Sequence, residues 1–289
     1  MKGIISALVV PFTEAGQVDE MKLRGVVNYN IEVSGVDGLY INGSTGENFM
    51  LDTDTKKQIF KIVGEEVAGR VDLFAQIGSI NLQEAIELGK YVKELGTYAV
   101  LSAVTPFYYK FSFEEIKNYY FTIIEECDMD MVIYNIPLLT GVSMSVAQFG
   151  ELFANDRVVG VKFTATDYYT MERIKTQFPN KLLYSGFDEC LLPSVATGID
   201  GAIGSTYNFQ ASLAKEVMAK AEGGDLAGAR VVQEKMNDAI DVLIETGLYQ
   251  TIKSVLTLDG ADAGICKLPM SKTEEKHILG AKKILEIIK

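Results

Sequence analysis

Short runs of apolar and β-branched residues recur along the chain, with longer amphipathic stretches between them. Most of these runs are almost continuously apolar, as is typical of parallel strands that helices cover on both faces. Eight runs are predicted strands: residues 4–10, 38–42, 71–77, 99–104, 131–134, 158–163, 182–185 and 201–203. The alternation of strands with helical stretches predicts a parallel α/β fold.

The amphipathic stretches between the strands predict helices, the first four at residues 20–32, 55–67, 82–95 and 113–126. Asp54 and Asn81 stand where the N-caps of the second and third helices are expected. Eight strand–helix repeats favour a closed (β/α)₈ barrel, the TIM barrel, which typically takes about 250 residues. An open doubly wound sheet has the same local pattern and stays an alternative.

After the eighth predicted strand the chain continues for longer than one closing helix requires. Further helices are predicted at residues 213–221, 226–245, 249–258 and 274–288, and no Pro- or Ser-rich linker separates them from the barrel. We therefore expect a single domain, residues 1–289. It would consist of a barrel over about 1–222 and a C-terminal helical extension, about 223–289, packed on that barrel.

Composition and charge exclude several classes of protein. A net charge of −12 argues against nucleic-acid binding, and no apolar run reaches the roughly 18 residues of a membrane helix. Cys127, Cys190 and Cys266 lie far apart, which favours reduced thiols in a cytoplasmic protein. The single histidine, His277, lies in a polar helix start and is expected to be solvated, so histidine triads and multi-histidine metal sites are disfavoured.

Lys162 lies at the end of the apolar run 158–163. Lysine is almost never fully buried unless it is paired or has a chemical role. Desolvation lowers the pKa of an amine, and a neutral amine can attack a ketone to form a Schiff base. The alternative is a lysine at a strand end whose amine reaches solvent.

Polar residues and glycines follow five of the predicted strands, at the edge of a barrel where active sites are built. They occur at residues 43–47, 134–137, 162–164, 186–189 and 204–208. The 43–47 loop, Gly-Ser-Thr-Gly-Glu, has the chemistry of an anion cradle, and a carboxylate fits it better than a triphosphate. An ordinary strand-to-helix turn is the alternative.

The remaining candidates also have two interpretations. Tyr134 can carry a proton if neighbouring groups lower its pKa, although a packed core tyrosine is the commoner case. Asp188 and Glu189 offer acceptors to sugar hydroxyls, but acidic residues are equally typical of a helix start. Tyr108 and Tyr109 favour packing at the rim or an interface, and which active site Tyr108 serves stays open.

In their order and spacing these motifs resemble the dihydrodipicolinate synthase and N-acetylneuraminate lyase family along essentially the whole chain. The resemblance implies a (β/α)₈ barrel, usually a homotetramer, that uses a Schiff-base lysine on pyruvate-type substrates without a metal or organic cofactor. It assigns Lys162 as the Schiff-base residue and Tyr134 as the proton carrier. Ser44 and Thr45 would hold the substrate carboxylate.

The resemblance also bears on the substrate. The synthases carry an arginine two residues after the proline of Tyr-Asn-x-Pro, where this chain has Leu139, and leucine cannot pair with a second carboxylate. The stretches at 162–164 and 184–189 are instead similar to the lyases. By that similarity the residues that would bind or position a polyhydroxylated substrate are Thr164, Gly186, Asp188, Glu189 and Ser205.

The reaction that this resemblance implies is the reversible aldol cleavage of N-acetylneuraminate to N-acetylmannosamine and pyruvate. A 2-keto-3-deoxy sugar-acid aldolase is the first alternative, and Asp188 with Glu189 argues mildly against it. Dihydrodipicolinate synthase is disfavoured by Leu139. A non-catalytic barrel that binds a keto acid or a sialic acid is a different class, and the presence of both Lys162 and Tyr134 argues against it.

Overall fold

Eight parallel strands close into a barrel in the computed structural model, which describes residues 1–289. Each strand pairs with the next, and the eighth pairs with the first. The strands are β1 (Gly3–Ala7), β2 (Gly38–Ile41), β3 (Asp72–Gln76), β4 (Val100–Val104), β5 (Met131–Asn135), β6 (Val158–Phe163), β7 (Leu182–Ser185) and β8 (Gly201–Gly204). The predicted closed barrel is confirmed, and the open sheet is excluded.

Helices surround the barrel. They are α1 (Glu20–Tyr29), α2 (Thr53–Val67), α3 (Leu82–Leu95), α4 (Phe113–Cys127), α5 (Pro137–Thr140), α6 (Val146–Phe153), α7 (Tyr168–Gln177), α8 (Leu191–Val195), α9 (Tyr207–Glu222), α10 (Leu226–Thr246), α11 (Leu248–Leu258) and α12 (Glu275–Ile288). None of them is both long enough and apolar enough to cross a membrane.

Two predicted boundaries were wrong. The cap of α2 is Asp52, whose carboxylate accepts a hydrogen bond from the Thr55 backbone N–H at 2.7 Å, and not Asp54. Asp54 lies in the first turn, where its charge still complements the helix dipole. Strand β1 ends at Ala7 because the Val9 N–H bonds to the Asn208 side chain instead of a neighbouring strand. The predicted cap at Asn81 is confirmed.

The apolar residues form two separate cores, which explains why the strands are apolar on both faces. The larger core lies between the strands and the helices. The smaller one fills the barrel interior with Ile5, Tyr40, Phe74, Val100, Val104, Val132, Tyr134, Ile136, Tyr184 and Ile203. Its aromatic rings pack edge to face, with centroids of Tyr40 and Tyr134 5.9 Å apart.

The barrel closes where β8 pairs with β1, and glycine is required there. A Cβ on Gly201 would lie 2.2 Å from the Gly3 carbonyl oxygen, a distance that no real side chain tolerates. Gly3 itself has φ +97°, a conformation that favours glycine.

Helices α10, α11 and α12 pack against one another, and α10 and α11 also contact α9. Gly223 and Gly224 separate α9 from α10. The division into a barrel and a helical extension at about residue 222 stays a prediction.

The prediction that His277 is solvated was wrong. The residue is 1% exposed, and its Nδ1 accepts a hydrogen bond from the Glu274 backbone N–H at the start of α12. Its polar sequence neighbours face solvent, whereas the imidazole turns inward beside Gly247. The three cysteines are free.

Candidate active site

Lys162 points into the barrel interior near the carboxyl end of β6. In the strand register it lies between Tyr134 on β5 and Tyr184 on β7. The residue is only 4% exposed, so the amine does not reach solvent as the alternative interpretation required. Its Nζ lies 4.0 Å from the centroid of the Tyr134 ring and 4.4 Å from that of Tyr40.

Burial lowers the pKa of the Lys162 amine to about 7, and the negative charge of Asp188 only partly opposes this effect. Aromatic faces surround the amine, so no hydrogen-bonding side chain favours its charged form. A substantial fraction is therefore neutral at neutral pH. A neutral, sterically accessible amine at this position is chemically competent to attack a carbonyl carbon.

Burial raises the pKa of Tyr134, and the hydroxyls of Ser44 and Thr164 beside its phenol act in the opposite direction. A proton carrier at Tyr134 was predicted to need a lowered pKa, whereas the net shift of its pKa is upward. The phenol is therefore protonated and is a proton donor before it can be an acceptor. Its hydroxyl lies beside residues from two other loops of the rim.

The 43–47 loop follows β2 as a tight turn of 3₁₀ helix over Ser44–Gly46, and Glu47 has φ +62°. Thr45 is buried, and its hydroxyl lies 2.7 Å from that of Ser205 in the loop after β8. Ser44 is partly exposed to the interior of the site. The loop is thus a separate structure between β2 and α2. Asp52 caps α2, and no residue of the 43–47 loop does so.

Asp188 is buried at 5% exposure, and burial raises the pKa of its carboxyl to about 6. The Thr206 backbone N–H and hydroxyl both donate to its Oδ2, at 2.8 and 2.7 Å. Glu189 is exposed and stands apart from the group, acting on Asp188 through its charge. The two neighbouring carboxylates therefore differ strongly in environment.

Thr164 and Gly186 come together across β6 and β7. The Thr164 hydroxyl is buried and has no hydrogen-bond partner within the protein, so it is free to bind a ligand. A Cβ on Gly186 would lie 1.8 Å from this oxygen. Only glycine at residue 186 leaves the Thr164 hydroxyl in place.

One side of the site is apolar and was not predicted from the sequence. A cavity of about 260 Å³ adjoins Ser44 and is lined mainly by apolar side chains. They include Phe49, Phe107, Leu139, Tyr249 and Met270. Tyr249 belongs to no motif in the sequence. It lies in the first turn of α11, and only the folded chain brings it near Tyr134.

A closed (β/α)₈ barrel with a desolvated lysine beside a protonated tyrosine has the arrangement expected of an enzyme that forms Schiff bases with carbonyl compounds. Comparison with known proteins narrows this class. The sequence profile of the Dihydrodipicolinate synthetase family matches residues 1–288. The chain belongs to that family.

Several relatives that share more than half of their residues with this chain are named N-acetylneuraminate lyase. N-acetylneuraminate lyase of Fusobacterium nucleatum is 54% identical over 284 residues, covering 98% of this chain and 98% of that protein. The structure of CdNal from Clostridium difficile in complex with mannosamine has a TM-score of 0.98 at 50% identity, covering 100% of this chain and 99% of the other. The F. nucleatum lyase complexed with pyruvate has a TM-score of 0.95 at 52% identity, covering 100% and 97%.

Replacing Lys162 by methionine is expected to stabilise the protein, because it removes an unpaired amine from an apolar site. The folded-state pKa of about 7 lies below the ordinary value of 10.5. The cost of burying the charge is therefore complete below pH 7 and vanishes above pH 10.5, where the amine is neutral in both states. We expect Lys162→Met to raise the free energy of unfolding by about 2–4 kcal/mol at pH 6 and by much less at pH 10.

Urea unfolding of both proteins at the two pH values measures this difference. Lys181 is the matched control, since its pKa is also lowered by burial but only part of its side chain is enclosed. Lys181→Met should give a smaller gain. Equal stability of Lys162→Met and the native protein at pH 6 would contradict a desolvated amine.

Proposed function

We propose that the protein is a Schiff-base aldolase that reversibly cleaves N-acetylneuraminate to N-acetylmannosamine and pyruvate. The observation that carries the proposal is the buried amine of Lys162, which the rings of Tyr40 and Tyr134 enclose and whose pKa burial lowers to about 7. The high identity to N-acetylneuraminate lyases over the whole chain supports the choice of substrate.

Schiff-base formation begins with the substrate carboxylate against the hydroxyls of Ser44 and Thr45. The C2 ketone of the open-chain sugar then faces Lys162, whose neutral amine adds to the carbonyl carbon. Loss of water from the carbinolamine requires a proton, which the protonated phenol of Tyr134 supplies. The products of this step are a cationic iminium at Lys162 and a phenolate at Tyr134.

Carbon–carbon cleavage uses the charges that the first step creates. The iminium would lie where the Lys162 amine lies, 4.0 Å from the centroid of the Tyr134 ring, so each charge would stabilise the other in a poorly hydrated site. The Tyr134 phenolate takes the proton of the C4 hydroxyl, and the C3–C4 bonding electrons pass into the iminium. N-acetylmannosamine leaves as the aldehyde, and the enamine is protonated at C3 and hydrolysed to pyruvate.

Five residues are proposed to hold the rest of the sugar. The hydroxyl of Thr164, which has no hydrogen-bond partner in the protein, would bind the C4 oxygen. Gly186 leaves room for it, and Asp188, Glu189 and Ser205 would bind the polyhydroxylated tail. The free lone pairs of Asp188 and the exposed carboxylate of Glu189 are suitable acceptors for sugar hydroxyls.

Dihydrodipicolinate synthesis is a poorer fit, because Leu139 lines the apolar cavity where a cation would have to bind a second carboxylate. A 2-keto-3-deoxy sugar-acid aldolase would share Lys162 and Tyr134, and it is distinguished only by its substrate. A binding protein without catalysis would not need a lysine whose pKa is lowered to about 7.

We also propose that the protein is a cytoplasmic homotetramer. An exposed apolar cluster supports association of chains: Tyr108 is 81% exposed, Tyr109 65% and Leu138 79%. These side chains lie together beside the mouth of the site, around a second cavity between the loops after β4 and β5. Exposed apolar clusters of this kind mark interaction surfaces.

Pyruvate release from N-acetylneuraminate tests the activity, read continuously through coupled lactate dehydrogenase. We expect turnover by the native protein and a loss of at least about 10³-fold in Lys162→Ala, because the covalent route is removed. A 2-keto-3-deoxy sugar acid serves as the competing substrate. Faster turnover of that compound would replace the proposed substrate, and comparable activity of Lys162→Ala would end the Schiff-base proposal.

Tyr134→Phe tests the proton carrier separately from the nucleophile. The variant keeps the ring that encloses Lys162 but cannot transfer a proton. We expect turnover to fall by about 10²–10⁴-fold, while borohydride in the presence of pyruvate still traps an adduct on Lys162 at longer times. Tyr40→Phe is the matched control, because its hydroxyl bonds Ser102 and takes no part in the proposed steps. Undiminished turnover of Tyr134→Phe would contradict the assignment.

Light scattering during gel filtration tests the assembly. The native protein should have the mass of four chains. Tyr109→Glu combined with Leu138→Glu should reduce this mass, because charges placed in the exposed apolar cluster oppose burial against another chain. A native protein that elutes as a monomer would contradict the tetramer.

A further inference from the structure

A fully buried ion pair joins the 43–47 loop to the C-terminal helices. The Lys253 Nζ on α11 lies 2.6 Å from the Glu47 Oε1, and the two side chains are 1% and 0% exposed. Lys253 also donates to the carbonyl oxygens of Val10 and Ile265, at 2.8 and 2.7 Å. The ammonium group therefore uses all three of its donors.

The second oxygen of Glu47 is used as well. It accepts a hydrogen bond from the Lys267 backbone N–H at 2.6 Å. Three parts of the chain thus meet at one carboxylate: the end of the 43–47 loop, α11, and the segment that follows α11. The segment after β1 joins them through Val10.

Glu47 also has a strained backbone, with φ +62° at a residue that is not glycine. Such conformations persist where surrounding contacts determine them, and they concentrate at functional sites. The Glu47 N–H closes the turn by bonding to the Ser44 carbonyl at 2.9 Å. The direction of the Ser44 and Thr45 hydroxyls is therefore coupled to the position of Glu47.

Stability does not account for this pair. Buried ion pairs lose much hydration, and replacing both partners by apolar residues is often neutral or stabilising. A pair that contributes little to stability can still select one arrangement of the segments that it joins. Here the segment selected is the loop proposed to hold the substrate carboxylate.

We propose that Glu47 and Lys253 are positioning residues, which hold Ser44 and Thr45 in the geometry that binds the carboxylate of the keto acid. The helices after the barrel are then part of the active site, because α11 supplies the cation. The inference deepens the proposed function and rests on its assignment of the carboxylate to the 43–47 loop.

Two variants test it. Glu47→Gln combined with Lys253→Met removes both charges, so no unpaired charge is left buried. Glu47→Gln alone keeps the shape of the side chain and a weaker bond to Lys253. The readouts are hydrogen exchange of the amides at residues 43–47, and the pyruvate concentration that half-saturates borohydride trapping on Lys162.

We expect faster exchange in the loop of both variants and a rise of about tenfold or more in the half-saturating pyruvate concentration of the double variant. Glu47→Gln should lie between it and the native protein. Trapping at saturating pyruvate should stay within about threefold of native, because Lys162 itself is unchanged.

The matched control is the ion pair between Lys175 and Asp200, which lies at the opposite end of the barrel, before β8. Lys175→Met with Asp200→Asn should lower the melting temperature without changing either readout. The same result in the Glu47 and Lys253 variants, a lower melting temperature with native exchange and native pyruvate dependence, would overturn the inference. Native protein that traps no pyruvate would contradict the proposed function alone, because hydrogen exchange tests the ion pair without a ligand.

Discussion

Desolvation of one amine governs the chemistry available to this barrel. Lys162 lies among aromatic rings, and burial lowers its pKa to about 7 because the charge of Asp188 opposes the shift only in part. The barrel interior makes this possible because eight strands enclose a small apolar core of their own. The same enclosure keeps Tyr134 protonated. A nucleophile and a proton donor therefore exist together at one pH, as a condensation with loss of water requires.

The positions of the polar rim residues depend on how the barrel strands pack and close. Gly186 leaves the Thr164 hydroxyl free, and Thr45 and Ser205 connect the loops after β2 and β8. The second contact joins loops that are far apart in sequence but follow strands on either side of β1 in the closed barrel. Closure of the sheet at Gly3 and Gly201 is therefore as necessary to the site as the residues that line it.

Much of this could be predicted from local sequence. The strands, the place of Lys162 at the end of β6 and the rim loops follow from apolar runs and the residues after them. The cap at Asp52, the burial of His277 and the place of Tyr249 could not, because each depends on a choice between near neighbours or on contacts between distant segments. The upward shift of the Tyr134 pKa also escaped prediction, since it requires knowledge of how completely the phenol is enclosed.

Two buried lysines have opposite roles, one as an ion-paired structural residue and the other as a nucleophile. Lys253 has a carboxylate and two carbonyl oxygens within hydrogen-bond distance, which hold its side chain in place. Lys162 has aromatic faces in the corresponding places; these attract its ammonium form only weakly, and burial favours the neutral form. A carboxylate at Lys162 would raise its pKa and remove the nucleophile, whereas loss of the carboxylate at Lys253 would leave a buried charge unpaired. The 43–47 loop lies between the two lysines. Through Glu47, Lys253 positions the residues of that loop that hold the substrate carboxylate while Lys162 reacts with the ketone.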